Sequence, residues 1–126
     1  HLQRAGHQVT VYNRSAERAR RWVDQHGGQR AATPREASKD ADMVCICVGN
    51  DDDVRSVVLG IDGVLAGLSA SGMLVDHTTA SAELARELSA AAAQRGIGFL
   101  DAPVSGGQAG ALNGALTIMA GGDAGT

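Results

Sequence analysis

Aromatic side chains are nearly missing, with Tyr12, Trp22 and Phe99 the only three in 126 residues. A core without aromatics has to be built from Val, Leu, Ile and Ala at close range, as when helices lie on parallel strands. Cysteine is as scarce: two thiols cannot staple a small secreted scaffold, which excludes the disulfide-rich class. Lysine occurs once, at Lys39, and no Lys/Arg block carries interleaved aromatics, which speaks against a nucleic-acid partner. No apolar run approaches the roughly 18 residues of a spanning helix, so no membrane partner is expected. No basic-then-apolar leader opens the sequence, and a cytoplasmic protein is expected. The histidines at positions 1, 7, 26 and 77 have no metal-ligand spacing, so no metal is expected either.

Glycine and alanine fill the space the aromatics leave, with 17 and 22 copies in a chain that is 44% hydrophobic and 20% charged. Those proportions, in 12.8 kDa, suit one globular domain rather than a disordered segment. Charge is uneven: residues 1–50 carry +3 and residues 51–126 carry −6. That is either ordinary surface variation or an anion site in the first half.

Periodicity and punctuation give the order of elements. Leu2 to Ala5 reads as the tail of a helix stopped by Gly6. Val9–Tyr12 reads as a strand, and a helix over Ala16–Gln25 follows, with Ser15 as its N-cap and Gly27-Gly28 ending it. Thr33-Pro34-Arg35-Glu36 is a capping box that starts a short helix running to about Lys39. Met43–Val48 is an unbroken apolar run, which predicts a central parallel strand buried on both faces. Cys45 and Cys47, at i and i+2 on that strand, are then small buried thiols without redox or metal spacing. A helix over Asp51–Leu59, a strand over Met73–Asp76, a helix over Ser81–Arg95 and strands over Ile97–Asp101 and Ala115–Ala120 complete the pattern. Ser105–Gly114 is expected to be a mobile loop. Strands alternating with helices predict an α/β fold of Rossmann-like type, a doubly wound, mostly parallel sheet.

Ligands of such folds lie at the carboxyl ends of the strands. The first strand ends in Asn13-Arg14-Ser15. A carboxylate at that place bonds an adenosine ribose 2′-hydroxyl and repels a 2′-phosphate. Here an amide, a guanidinium and a hydroxyl stand instead, chemistry that suits NADP (NADPH) over NAD. A helix cap beside a surface arginine gives the same tripeptide. The next strand ends in Val48-Gly49-Asn50, where a glycine lets a ligand approach the backbone and Asn50 serves as an N-cap. Asp76-His77-Thr78-Thr79 ends the third; Asp76 and His77 point to opposite faces, so a catalytic dyad is not expected and His77 is expected to be structural or peripheral. The fourth runs into Ser105-Gly106-Gly107, a hydroxyl and two bare backbone N–H groups able to hold a carboxylate, or simply a flexible turn. The glycine-rich loop of a dinucleotide fold falls about 20 residues before Asn13, upstream of His1.

The stretch from Asp101-Ala-Pro-Val-Ser-Gly-Gly through Ala-Leu-Asn-Gly-Ala-Leu-Thr-Ile-Met-Ala-Gly-Gly122 strongly resembles the β-hydroxyacid dehydrogenase family, which includes 3-hydroxyisobutyrate dehydrogenases and tartronate semialdehyde reductases. Ala5-Gly6-His7 with Val11–Ser15, Val48–Asn50 and Asp76–Thr79 agree with it in order and spacing. The resemblance implies a hydride-transferring oxidoreductase acting on a small carboxylated hydroxy acid or semialdehyde, homo-oligomeric when full length. It implies that Asn13, Arg14 and Ser15 hold the NADP 2′-phosphate and that Val48, Gly49 and Asn50 line the adenosine-diphosphate path. Thr79 would lie near the nicotinamide ribose, and Ser105, Gly106 and Gly107 would bind the substrate carboxylate. Family members often have Leu-Pro where Val48-Gly49 stands. Residues 1–126 are then expected to be a partial NADP-binding Rossmann domain, truncated at both ends. Its first strand and glycine-rich loop would precede His1, and a helical domain with the family's catalytic lysine would follow Thr126. No catalytic residue is nominated within the chain, and Lys39 does not match that lysine. An imine reductase of the same fold and a non-enzymatic Rossmann-type binding module are the competing expectations.

Overall fold

The computed structural model describes residues 1–125; Thr126, after which the resemblance puts a further domain, lies outside them. A 3-10 turn over Gln3–Ala5 closes on Gly6. Then come β1 (Thr10–Val11), α1 (Ala16–His26), β2 (Gln29–Arg30), α2 (Pro34–Ser38), β3 (Met43–Ile46), α3 (Asp51–Leu59) and α4 (Val64–Gly67). β4 (Met73–Asp76), α5 (Ala82–Ala93), β5 (Gly98–Asp101), β6 (Val104–Ser105), α6 (Gly107–Asn113) and β7 (Thr117–Ile118) complete the chain.

The α/β architecture with parallel strands is the one the alternation predicts. The strands do not form one sheet, however. Among the described residues β1 pairs with β2, β3-β4-β5 form a parallel trio with β4 in the middle, and β6 pairs antiparallel with β7. This corrects the reading of Met43–Val48. β3 is bonded on one edge alone, and its faces alternate: Met43 is 57% exposed and Cys45 exposed, while Ile46 is buried. β4 is the buried strand, with Leu74, Val75 and Asp76 all inside. Cys45 and Cys47 are exposed, not buried: Cys45 lies on a strand at the sheet's edge and Cys47 just past its end. Crowding still removes enough water from Cys45 to push its thiol pKa up.

One core holds the molecule together, and it sits around the trio. Val54 and Val58 of α3, Val64 and Leu65 of α4, Leu84, Leu88 and Ala92 of α5 and Leu74, Ile97 and Phe99 close on one another. Burying each of the larger side chains contributes about 1.5–3 kcal/mol. The α5 spacing of Leu84, Leu88 and Ala92 is the helical stripe expected of Ser81–Arg95, and the Ser81 hydroxyl caps it by accepting from Leu84 N–H at 3.1 Å. α2 is capped by Thr33, which accepts from Glu36 N–H at 3.1 Å, but the Glu36 carboxylate reaches Ala32 N–H at 2.9 Å instead of completing the box at Thr33. α2 lies close against α4, because a side chain at Gly67 would collide with the Arg35 carbonyl and the Ser38 hydroxyl. Ser38 is buried there and donates to the carbonyls of Arg35 and Val64 at 3.0 and 3.1 Å.

Two short elements, β2 and α4, carry no sequence signal strong enough to anticipate. The predicted strands Val9–Tyr12 and Ala115–Ala120 shrink to two residues each. Ser105–Gly114 is regular rather than an open loop: β6 runs into α6, which closes on Gly114.

Candidate functional site

The candidate residues lie along the carboxyl ends of the strands, and hydrogen bonds lace those ends together. At the end of β1, the Asn13 side chain accepts from Ser15 N–H at 2.9 Å. That bond is a local turn ahead of α1; Ser15 holds the N-cap position expected of it, but its side chain makes no cap bond to the helix. Arg14 reaches outward with 87% of its side chain exposed, and its Nη1 donates to Asp53 Oδ1 at 3.2 Å.

Asp53 stands in the first turn of α3, fixed by Asn50, whose side chain accepts from Asp53 N–H at 2.9 Å. The other Asp53 oxygen overhangs Gly49: a Cβ built on that glycine would come within 2.8 Å of Asp53 Oδ2. So the end of β1 and the turn after β3 face each other across one carboxylate. The same turn is bound to the end of β4, because Val48 N–H donates to the Thr78 hydroxyl at 3.0 Å and His77 N–H to the Ile46 carbonyl at 2.8 Å.

Thr78 and Asp76 are buried, each with 2% exposure, and Thr78 N–H donates to Asp76 Oδ1 at 2.8 Å. Thr79, the residue singled out in the sequence, is exposed beside them. His77 ties β4 to the segment after β5 through Nδ1–H donating to the Ala102 carbonyl at 2.8 Å, and Ala102 N–H donates to the Asp76 carbonyl at 2.7 Å. This is the structural role expected of His77. Asp101 faces Asp76 in register on the neighbouring strand. Burial and the Asp76 charge raise its pKa.

Ser105, Gly106 and Gly107 occupy the junction of β6 and α6, all three exposed. Gly106 and Gly107 have φ of 129° and 58°, a backbone that other residues adopt only under strain. The turn puts the hydroxyl and the first N–H groups of α6 at one end of the hairpin.

Sequence reasoning missed three groups. Asp53 falls within the helix expected over Asp51–Leu59 with no role of its own; its partner lies 39 residues away, and local pattern does not reveal such a pair. Thr78 was passed over for its neighbour. The third is a tie between helix starts, where Asp51 accepts from the Ser81 hydroxyl at 2.5 Å and from Ser81 N–H at 3.1 Å. Those donors hold the Asp51 pKa below its usual value. Arg55 continues the tie by donating to Glu87 at 2.9 Å, which raises its own pKa.

Whether the residues fit a dinucleotide is a matter of donor chemistry. An exposed guanidinium, an amide and a hydroxyl with no carboxylate at positions 13–15 suit an adenosine phosphate, and bare backbone at Gly49 suits close approach. Asp53 is the one group of opposite character among them. Among the described residues, no group of three or more His, Cys, Asp or Glu is placed to hold a metal ion. No helix there is long and apolar enough to cross a membrane.

Parallel strands whose carboxyl ends gather glycine, amide, hydroxyl and guanidinium groups define a dinucleotide-binding domain. The family described as the NAD binding domain of 6-phosphogluconate dehydrogenase matches residues 1–126, and the chain belongs to it. An uncharacterised oxidoreductase of Shewanella frigidimarina is 59% identical over 123 residues, 98% of this chain and 42% of that protein. The structure of Mycobacterium tuberculosis 3-hydroxyisobutyrate dehydrogenase with L-serine superposes with a TM-score of 0.87 at 35% identity, covering 98% of this chain and 41% of that one. That of Psf3 in complex with NADP+ and 2-OPP gives 0.89 at 32% identity, covering 98% of this chain and 44% of that one. The chain thus spans about two fifths of the length of these relatives. It is an NAD(P)-binding domain.

Proposed function

We propose that this domain serves an NADPH-preferring oxidoreductase that interconverts a small carboxylated hydroxy acid and its semialdehyde or keto acid. The observation that carries the cofactor preference is the end of β1. Arg14 stands exposed there with Asn13 and Ser15 and without a carboxylate in the tripeptide. Arg14 would hold the 2′-phosphate by charge-assisted hydrogen bonds, with Asn13 and Ser15 beside it. Val48, Gly49 and Asn50 would line the path of the adenosine diphosphate, and Thr79 would stand near the nicotinamide ribose. The bound nicotinamide supplies or accepts the hydride. Ser105, with the backbone N–H groups of Gly106 and Gly107, would hold the substrate carboxylate. The solved relatives named for 3-hydroxyisobutyrate dehydrogenase and for an NADP+ complex support both halves of this reading.

Residues 1–126 are, on this proposal, part of a longer protein. A parallel strand carrying the glycine-rich turn would lie between β1 and β3, which belong to separate parallel sheets. It would cover Met43 and Cys45, apolar side chains now exposed on β3. The proton-transfer lysine would come from a helical domain beyond Thr126, through which the protein would also form homo-oligomers.

Titrating the intact protein with NADPH and NADH tests the cofactor, and following NADPH oxidation with short carboxylated semialdehydes tests the substrate. NADPH binding at least tenfold tighter than NADH, with turnover of one such acid, is expected. Tighter NADH binding overturns the preference, and failure with every short semialdehyde acid overturns the substrate class.

A further inference from the structure

We propose that Asp53 sets the balance between NADPH and NADH at this site by competing with a 2′-phosphate for Arg14. The inference rests on the reading above, that Arg14 meets that phosphate, and it assigns a specificity role to a residue on a different element.

The geometry is a carboxylate held between two strand ends. One oxygen of Asp53 takes the Arg14 guanidinium at 3.2 Å, and the other overhangs Gly49. The Asn50 side chain accepts from the Asp53 backbone N–H at 2.9 Å, which fixes the main chain from which this carboxylate projects in the first turn of α3. Its two acidic neighbours are engaged elsewhere. Asp51 is bound to the Ser81 hydroxyl and N–H, while Asp52 is 97% exposed and lies 3.6 Å from Arg55. Among the three aspartates that open α3, Asp53 is therefore the one placed against Arg14.

Two consequences follow from its charge. A 2′-phosphate carries close to two negative charges at neutral pH, so it has to share Arg14 with Asp53, which already holds one Nη1 donor, and to tolerate that carboxylate nearby. A ribose 2′-hydroxyl has no such conflict. It can donate to the Asp53 carboxylate, the charged acceptor that an Asn13-Arg14-Ser15 strand end lacks. Asp53 thus weakens NADPH and is neutral or helpful to NADH, moderating the selectivity that Arg14 confers.

The magnitude is bounded by exposure. Arg14 is largely in water, so the pair is worth little by itself, and its removal leaves the fold standing with the Asn50 cap intact. Like-charge relief beside the phosphate adds to the loss of competition. Together they predict a change of about threefold to tenfold in NADPH affinity.

The test is calorimetric titration of the intact protein with NADPH and with NADH, at low and high salt. Asp53→Asn, Asp53→Glu and Arg14→Gln are compared with the parent, and thermal melts confirm that each is folded. Asp53→Asn is expected to tighten NADPH by about threefold to tenfold, with NADH unchanged or up to about threefold weaker. Asp53→Glu, which keeps the charge, is expected to leave NADPH close to the parent. The Asp53→Asn gain shrinks as salt screens the charges. If Arg14→Gln costs NADPH affinity and Asp53→Asn leaves the NADPH-to-NADH ratio within twofold, the role of Asp53 is overturned while the 2′-phosphate reading stands. If Arg14→Gln leaves the ratio unchanged, the reading of Arg14 fails and takes this inference with it.

Discussion

Residues 43–102 and residues 1–30 are built on different principles. The first region carries the three-stranded sheet and nearly every buried side chain, from Ile46 to Ala102. In the second, a two-residue strand pair and α1 bury Ala19 alone, with Trp22 and Val23 half-covered on the same helix face. Yet the group best suited to select a nucleotide, Arg14, belongs to the second. It reaches the first through a single exposed ion pair to Asp53. The contrast separates two jobs: the trio and its helices supply stability, and the lightly packed β1 end supplies recognition chemistry at little structural expense.

The largest expected effect breaks the core. Leu88→Ala removes a fully buried side chain between α5 and the sheet and should cost about 2–5 kcal/mol in chemical denaturation. Trp22→Ala, on half-buried α1, should cost less than Leu88→Ala despite its greater size. Equal losses would erase the distinction between the two regions. Arg14→Asp should act on the other side of the comparison, weakening NADPH by about tenfold to a hundredfold with NADH changed less than about threefold. Equal losses in titrations of the two cofactors would show that Arg14 is not at the 2′-phosphate.

A smaller effect is expected at the tie between α3 and α5. Ser81→Ala deletes the cap of α5 and should cost about 1 kcal/mol. It also takes both the hydroxyl donor and the fixed geometry from Asp51. Because the folded pKa of Asp51 is lowered, its contribution is present above the unfolded value and is lost as pH falls through the folded one. Ser81→Ala should therefore flatten the acid limb of the stability profile. Asp101 has the opposite sign. Its raised folded pKa means that ionisation is disfavoured in the folded state, a penalty felt in full at neutral pH and relieved as pH falls through that pKa. Asp101→Asn should raise the melting temperature slightly near pH 7, the gain vanishing toward acid pH. A loss at pH 7 would mean that the carboxylate is needed at the end of β5.

The same division governs how much could be read from sequence. Long elements with a strong pattern were legible: α3 and β4 match their expected bounds, and α5 shows the Leu84-Leu88-Ala92 stripe. Their packing and caps agree with local propensity, so pattern and structure coincide. Among residues 1–125 Met43–Ile46 is an edge strand, which was not legible because an unbroken apolar run does not say whether a strand has neighbours on both edges. Cys45 and Cys47 are exposed at that edge, and the further strand proposed beside β3 would cover Cys45. β2 and α4 escaped notice because two and four residues are too few to show a period. At the site, Asn13, Arg14, Asn50 and Ser105 were visible as residue types at strand ends. Asp53 was not, because its meaning depends on a contact made only after β1 and α3 are brought together.

The central claim is that the lightly packed strand ends, not the core, receive the nucleotide. Hydrogen exchange on the intact protein, measured with and without saturating NADPH, tests it directly. The account predicts slow exchange at Leu74, Val75 and Leu88 in both states, and new protection on NADPH binding concentrated at residues 13–18 and 48–51. Protection that leaves residues 13–15 unchanged while NADPH is bound would contradict it.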